Sequence, residues 1–331
     1  MNRRETVLAA INKQETQVIP YQLDLTDLAR ARLQEHFGDP DFEKGIGNHL
    51  AQERNEILHQ ISPSSKRDMF GVLWETEQEG DFGVVTDYIL KEADFGDYRF
   101  PEPDEDVIRA KCEALRAVKD EQFTMYIIGF SLFERAWSLR GMENVLMDFI
   151  TDPAFVNELF ERINEYNLKV IDIVAEYPID CIFFGDDWGQ QKGLIMGPEH
   201  WRRLIKPHLR RLYERVQDHG MYIAQHSCGD IQELFPDLIE MGADIYNTFQ
   251  PEVYDIGRIK DEYGQHLTFY GGISTQRLLP MSDPDTVRRE TRRLMGVLGR
   301  RGGYIVAPTH AIPNDVPTEN ILALLQVMQE Q

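Results

Sequence analysis

The sequence predicts an α/β fold of the (β/α)8 TIM-barrel type, and three observations predict it. From residue 104 onward, short apolar segments alternate with amphipathic ones at the spacing of parallel strands joined by crossover helices. About eight apolar segments can be counted over the chain, the number a closed barrel needs. Polar and titratable residues gather where the later segments end, as they do at the C-terminal face of such barrels. A doubly wound open sheet is the alternative, but no Gly-x-Gly-x-x-Gly or phosphate-binding loop follows any segment. No linker or repeat breaks the pattern, so residues 1–331 are expected to form one barrel domain with N-terminal helical and hairpin additions.

The elements follow in order. Residues 3–13 are amphipathic and predict a short helix. The stretch 17–24, Gln17-Val-Ile-Pro-Tyr-Gln-Leu-Asp24, predicts the first strand, ending at an acid, with a helix to about residue 37. Residues 38–64 are polar and poorly periodic and are expected to form loops and short helices. The segments 66–74 and 82–89 predict a strand and a hairpin near the barrel entrance. Acids and prolines over 92–106 predict a surface loop. Helices are then expected at 104–119, 131–150, 153–177, 198–218, 230–241, 254–262, 283–299 and 317–330. Strands are expected at 123–130, 180–187, 222–226, 244–247, 267–273 and 304–310. The centre of the 180–187 strand is apolar enough to be buried on both faces.

Composition excludes several functions. The chain has 331 residues, 42% hydrophobic and 27% charged, and a net charge of −21. Such a charge repels nucleic-acid phosphates and anionic membrane surfaces, so neither is an expected partner. No apolar run is long enough to span a bilayer, and the N-terminus lacks a signal-peptide core. Cys112, Cys181 and Cys228 are too few and scattered for a disulfide framework. A cytoplasmic location is expected.

The chemistry concentrates in Tyr222-Ile-Ala-Gln-His226-Ser-Cys228-Gly-Asp230. Residues two apart on a strand point to one side, so His226 and Cys228 project together, and imidazole with thiolate is a ligand pair suited to zinc. The plainer reading is a strand-end histidine and an inert buried thiol. In a barrel, His310 at another strand end would meet them, giving a metal set of His226, Cys228 and His310. Asp187 could add an oxygen ligand or orient a histidine from behind. Asp186 and Asp187 are adjacent acids, so one is expected to hold a raised pKa and act as general acid or base; helix capping is the other reading. With His310 they make up the expected catalytic residues. A small-molecule substrate is expected to touch Tyr126, Arg135, Trp188, Gln190, Asn247, Gln250 and Gly272. Arg135 and Arg140 could instead pair with Glu134 or Glu143, and Gly271-Gly272 could serve packing alone.

Four motifs taken together are specific. Phe184-Gly-Asp-Asp-Trp-Gly-Gln190, Gln225-His-Ser-Cys-Gly229, Tyr270-Gly-Gly-Ile273 and the segment 307–320 (Ala-Pro-Thr-His-Ala-Ile-Pro-Asn-Asp-Val-Pro-Thr-Glu-Asn) resemble the uroporphyrinogen decarboxylase superfamily over nearly the whole chain. The resemblance implies a (β/α)8 barrel and one of two chemistries. True decarboxylases of this superfamily need no metal and grip an acidic tetrapyrrole with an Arg-Gln-Ala-Gly-Arg segment. This chain has Ile19-Pro-Tyr-Gln-Leu-Asp-Leu there, without arginines. His310 resembles their C-terminal active-site histidine, and Asp187 stands where a serine is expected. The cobamide-dependent methyltransferases instead bind zinc with a His-x-Cys and a later Cys. His226-x-Cys228 matches that pattern, and His310 replaces the later Cys.

The resemblance therefore implies a zinc-dependent methyltransferase working with a corrinoid (cobamide) protein or cofactor, on a small-molecule methyl donor or a thiol acceptor. A metal-free decarboxylase using Asp187 and His310 is the second expectation, and a non-catalytic binding barrel the third.

Overall fold

The computed structural model describes residues 1–55, 58–76 and 83–331. Its centre is a seven-stranded sheet whose strands lie in chain order, every neighbouring pair parallel. The strands are β1 (Leu50–Arg54), β2 (Phe123–Ile128), β3 (Cys181–Gly185), β4 (Tyr222–His226), β5 (Ile245–Phe249), β6 (Thr268–Ile273) and β7 (Tyr304–Pro308). At least one helix follows each strand, as parallel neighbours require.

The strands from β2 onward are nearly all buried because both faces are covered. One face supplies an inner cluster: Leu50, Met125, Phe183, Ala224, Ile245, Tyr270 and Ile305 come from all seven strands. The other face packs Ile128, Phe184, Tyr246 and Phe269 against the helices. A flat sheet could not bring its first and penultimate strands together. Here the Gln52 side chain of β1 donates to the Tyr270 hydroxyl of β6 at 3.0 Å, so the sheet curls on itself as in a TIM barrel.

The expected first strand at 17–24 is not a strand. Its chain makes isolated bridges, Tyr21 to Val306 and Leu25 to Ile312. The Gln22 N–H donates to the Val306 carbonyl, and the Tyr21 carbonyl accepts from His49. Pro20 contributes no N–H, which helps keep this segment irregular. Among the described residues the sheet thus has seven strands, against about eight expected.

The polar stretch 38–64, expected as loops and short helices, has a short 3-10 helix at Phe42–Gly45 but also contains β1 and a further strand, Leu58–Ser62. The reason is legible in β1 itself: Gln52 and Arg54 occupy its inner face, so no apolar alternation marks it. The segment 66–74 divides into strands Ser65–Asp68 and Leu73–Glu75, which pair antiparallel around a turn. Of the hairpin at 82–89, Phe82 lies outside the described residues and only Val84–Val85 is strand. The helix at 131–150 is two, Phe133–Arg140 and Met142–Thr151, separated at Gly141 with its φ of 93°. No helix among the described residues is long and apolar enough to cross a membrane.

Candidate metal and active site

The site lies at the C-terminal ends of the strands. Ala224 belongs to the inner cluster, so His226, two residues on, points inward at the end of β4. Its Nδ1 lies 2.5 Å from the Asn247 side-chain oxygen, and the Asn247 amide donates to the Tyr270 carbonyl at 3.0 Å. The second bond orients the amide, so its oxygen accepts the Nδ1 proton and Nε2 faces the opposite way. There Nε2 lies 3.6 Å from the Cys228 sulfur and 3.4 Å from an Asp187 carboxylate oxygen. That oxygen also accepts the Cys228 N–H at 2.7 Å. One ligand atom from each of Asp187, His226 and Cys228 lies within 4.8 Å of the others. Imidazole, thiol and carboxylate at this spacing, with the imidazole fixed from behind by an amide, fit a zinc ion.

The loop carrying Cys228 is held tightly. Gly229 donates to the Gln250 side chain at 2.6 Å, and the Tyr254 hydroxyl donates to the Gly229 carbonyl at 2.8 Å. Gly229 has φ 76°, and a Cβ there would lie 2.3 Å from the Gly189 backbone, so only glycine permits this approach. Asp230 donates its N–H to the Gln190 carbonyl at 2.8 Å, tying the loop to the hairpin of Gly189–Gln190 and Gly193–Leu194.

The two adjacent acids have separate roles. Asp186 is fully buried and accepts the Phe133 and Glu134 backbone N–H groups at 3.0 and 2.7 Å and the Trp188 indole N–H at 2.7 Å. It anchors the start of the helix Phe133–Arg140 and is fully buried, the capping role that was one of the two readings of this acid. Burial pushes its pKa up to about 6 against the pull of its three donors, with repulsion from Asp187 a lesser cause. Burial acts upward on Asp187 too, but the His226 imidazole and the Cys228 N–H outweigh it and bring Asp187 down to about 2. His226 is correspondingly raised: burial disfavours its charge, and Asp187 and Cys228 more than compensate.

His310 sits at the mouth, its ring centre 6.3 Å from that of His226. Among the described residues, the ligand atoms that lie within 4.8 Å of one another are those of Asp187, His226 and Cys228, and His310, expected as the third metal ligand, faces this group across the mouth. Solvent reaches the His310 ring, yet crowding by the concave mouth lowers its pKa, followed by the charge of His226 and offset by Asp187.

The remaining expected substrate contacts divide. Asn247 is in the site through His226. Gln190 is exposed on the neighbouring hairpin. Arg135 is not available to a ligand: it is 2% exposed, ion-paired with Asp68, and its guanidinium lies 4.3 Å from the Phe70 ring centre. Arg140 pairs with Asp148, so neither arginine pairs with Glu134 or Glu143. Trp188 is buried edge-on against Trp201, and Tyr126 is buried with its hydroxyl on Asn55. Gln250 is committed to the Cys228 loop. Gly272 serves packing, because a Cβ there would lie 2.8 Å from the Tyr304 hydroxyl.

Sequence reasoning missed Glu134, whose carboxyl is raised well above its usual range by burial and then by Asp187 and Asp186. It also missed Gln52 and Arg54, and noted Asp24 only as the acid that ends the 17–24 segment. The inward alternation of Leu50, Gln52 and Arg54 was the available signal, hidden because two of the three are polar.

A curled parallel sheet with its polar side chains collected at the C-terminal strand ends defines a TIM-barrel-like protein with a metal-competent site. The family model for uroporphyrinogen decarboxylase (URO-D) matches residues 68–331, and the chain belongs to that family. Among curated relatives, a uroporphyrinogen decarboxylase of Thermus thermophilus is 23% identical over 183 residues, 54% of this chain and 50% of that one. The Syntrophotalea carbinolica uroporphyrinogen decarboxylase is 25% identical over 174 residues, 52% of this chain and 48% of that one. The chain thus spans about half the length of the curated relatives it matches. Among solved structures, a methyltransferase from Methanosarcina mazei superposes with a TM-score of 0.73 at 15% identity, covering 100% of this chain and 99% of that one, a likeness of fold.

Proposed function

We propose that the protein is a methyltransferase of this family that binds zinc through His226, Cys228 and Asp187. It would move a methyl group between a small molecule and a corrinoid, either a protein-bound or a free cobamide. The single observation that carries the reading is the convergence of those three ligand atoms within 4.8 Å at the C-terminal strand ends. A bound zinc ion would supply Lewis acidity, lowering the pKa of a thiol acceptor or polarising a methyl donor's oxygen.

The chain's own residues do the rest. Asn247 holds His226 so that Nε2 faces the ligand group, and the Asp187 bond to the Cys228 N–H fixes the thiol beside it. His310 stands across the mouth, where it can take the proton that leaves an acceptor. A second reading, metal-free decarboxylation with Asp187 and His310, draws on the names of the curated relatives.

The test is metal content on protein purified without added metal or chelator. About one zinc per chain is expected, absent from a His226→Ala, Cys228→Ala double variant that still folds. Methyl transfer to cob(I)alamin, followed by absorbance, should require the same residues. His310→Ala should keep the zinc and lose turnover; loss of zinc as well would make His310 a ligand. No zinc in the wild type, even after incubation with it, would sink the metal reading in favour of decarboxylation.

A further inference from the structure

The mouth holds a cation that the proposed zinc chemistry does not use. On β1, Leu50 belongs to the inner cluster and Gln52 reaches across it to Tyr270. Side chains two apart on a strand share a face, so Arg54 at the C-terminal end of β1 projects into the mouth. Its charge is felt there by Asp24, Tyr270 and His310. Arg4, Arg135 and Arg140 are each paired with an aspartate. The Arg54 guanidinium has neither a hydrogen-bond nor an ion-pair partner among the described residues.

The surroundings narrow what would pair with it. Asp24, on which the Arg54 charge acts, accepts from the Gln22 amide at 2.8 Å. Arg30, which lies on the Asp24 side, is held by Asp27 and Glu43. Asp187, in the ligand group at the strand ends, adds a further negative charge. One guanidinium among several acids can neutralise one negative charge, and its fork matches a carboxylate with two parallel bonds. A phosphate dianion would meet the same acids with its second charge unmatched.

We infer that Arg54 anchors the carboxylate of a small monocarboxylic acid whose other end reaches Asp187, His226 and Cys228. β1 and β4 stand three strand steps apart, about 14 Å along the curled sheet, and the inward reach of the side chains from both shortens that span to the length of a small molecule. The inference rests on the proposed reading of the site and names its substrate class.

The experiment measures binding by calorimetry to zinc-loaded protein. The probes are methoxyacetate and 4-methoxybenzoate, each against its neutral primary amide, for wild type, Arg54→Met and Arg54→Lys. At least one acid should bind about tenfold more tightly than its amide to wild type, the worth of a charge-assisted contact. The preference should vanish in Arg54→Met and survive in part in Arg54→Lys, with zinc content and melting temperature unchanged in both. Equal binding of acids and amides by wild type, a preference that persists in Arg54→Met, or no binding of any acid in the millimolar range overturns the inference. Zinc measured on the same samples separates the two claims. Zinc without acid preference removes only the carboxylate anchor, and acid preference without zinc removes only the metal reading.

Discussion

At the N-terminal ends of the strands, buried charges are matched by fixed partners. Asp180 pairs with Arg4 at 2.6 Å and accepts the Thr124 N–H at 3.0 Å. Asp244 accepts the Ile223 N–H at 2.8 Å, Lys13 donates to Thr268 at 2.6 Å, and the Lys260 ammonium donates to the Gly302 and Gly303 carbonyls. At the C-terminal ends, Asp187, His226 and Cys228 have one another, and the Arg54 guanidinium has no partner among the described residues. The same sheet therefore closes its charges at one end and leaves them able to take a ligand at the other. In a barrel-like fold this divides stability from chemistry.

The sharpest way to break that division is Asp180→Ala. It orphans the Thr124 N–H and frees Arg4, and should cost about 3 kcal/mol in denaturant unfolding while leaving zinc content intact. A loss of zinc binding without loss of stability would show that the two ends are not divided in this way.

The next test contrasts neighbours at the C-terminal end. Asp186→Ala removes the acceptor for three buried donors and should cost about 2–3 kcal/mol, although Asp186 stands beside the site. Asp187→Ala should change stability by less than about 1 kcal/mol and weaken zinc affinity by at least about tenfold, measured by chelator competition. If the two variants behaved alike, the assignment of one acid to the fold and the other to the ligand group would fail.

The smallest expected effect concerns pH. His49 precedes β1, is buried, and stacks edge-on against Tyr21 with ring centres 4.6 Å apart. Burial, followed by the Arg3 charge, lowers its pKa from 6.5 to about 4. The unfolded chain therefore binds the extra proton in that window. The stability His49 contributes is complete above pH 6.5 and is lost as pH falls toward 4. Unfolding free energy in wild type should drop by on the order of 1 kcal/mol more than in His49→Phe across this range. Parallel profiles for the two proteins would show that His49 is not held neutral.

How much was legible follows from where the side chains point. From β2 to β7 the sequence marks every strand, because those segments are covered on both faces and read as apolar runs bounded by turns. Helix starts at Asp104, Asp152 and Asp283 are equally local, each aspartate accepting an N–H three residues on. His226 and Cys228 are readable as a pair because strand parity is a local rule.

The sequence by itself determined the alternating α/β plan, the positions of its later strands and the His-x-Cys pair, since these depend on residues near one another in the chain. Only the tertiary structure decided that β1 is a strand at all, that Asp187 comes within reach of the pair, and that Asp186 belongs to a helix start. It also decided that Arg135 and Trp188 are buried with partners of their own, while the Arg54 guanidinium has none among the described residues. Each of these turns on which groups distant in sequence come within a few ångströms, and on how much water their meeting excludes. Curling the sheet sets both, and no local pattern encodes them.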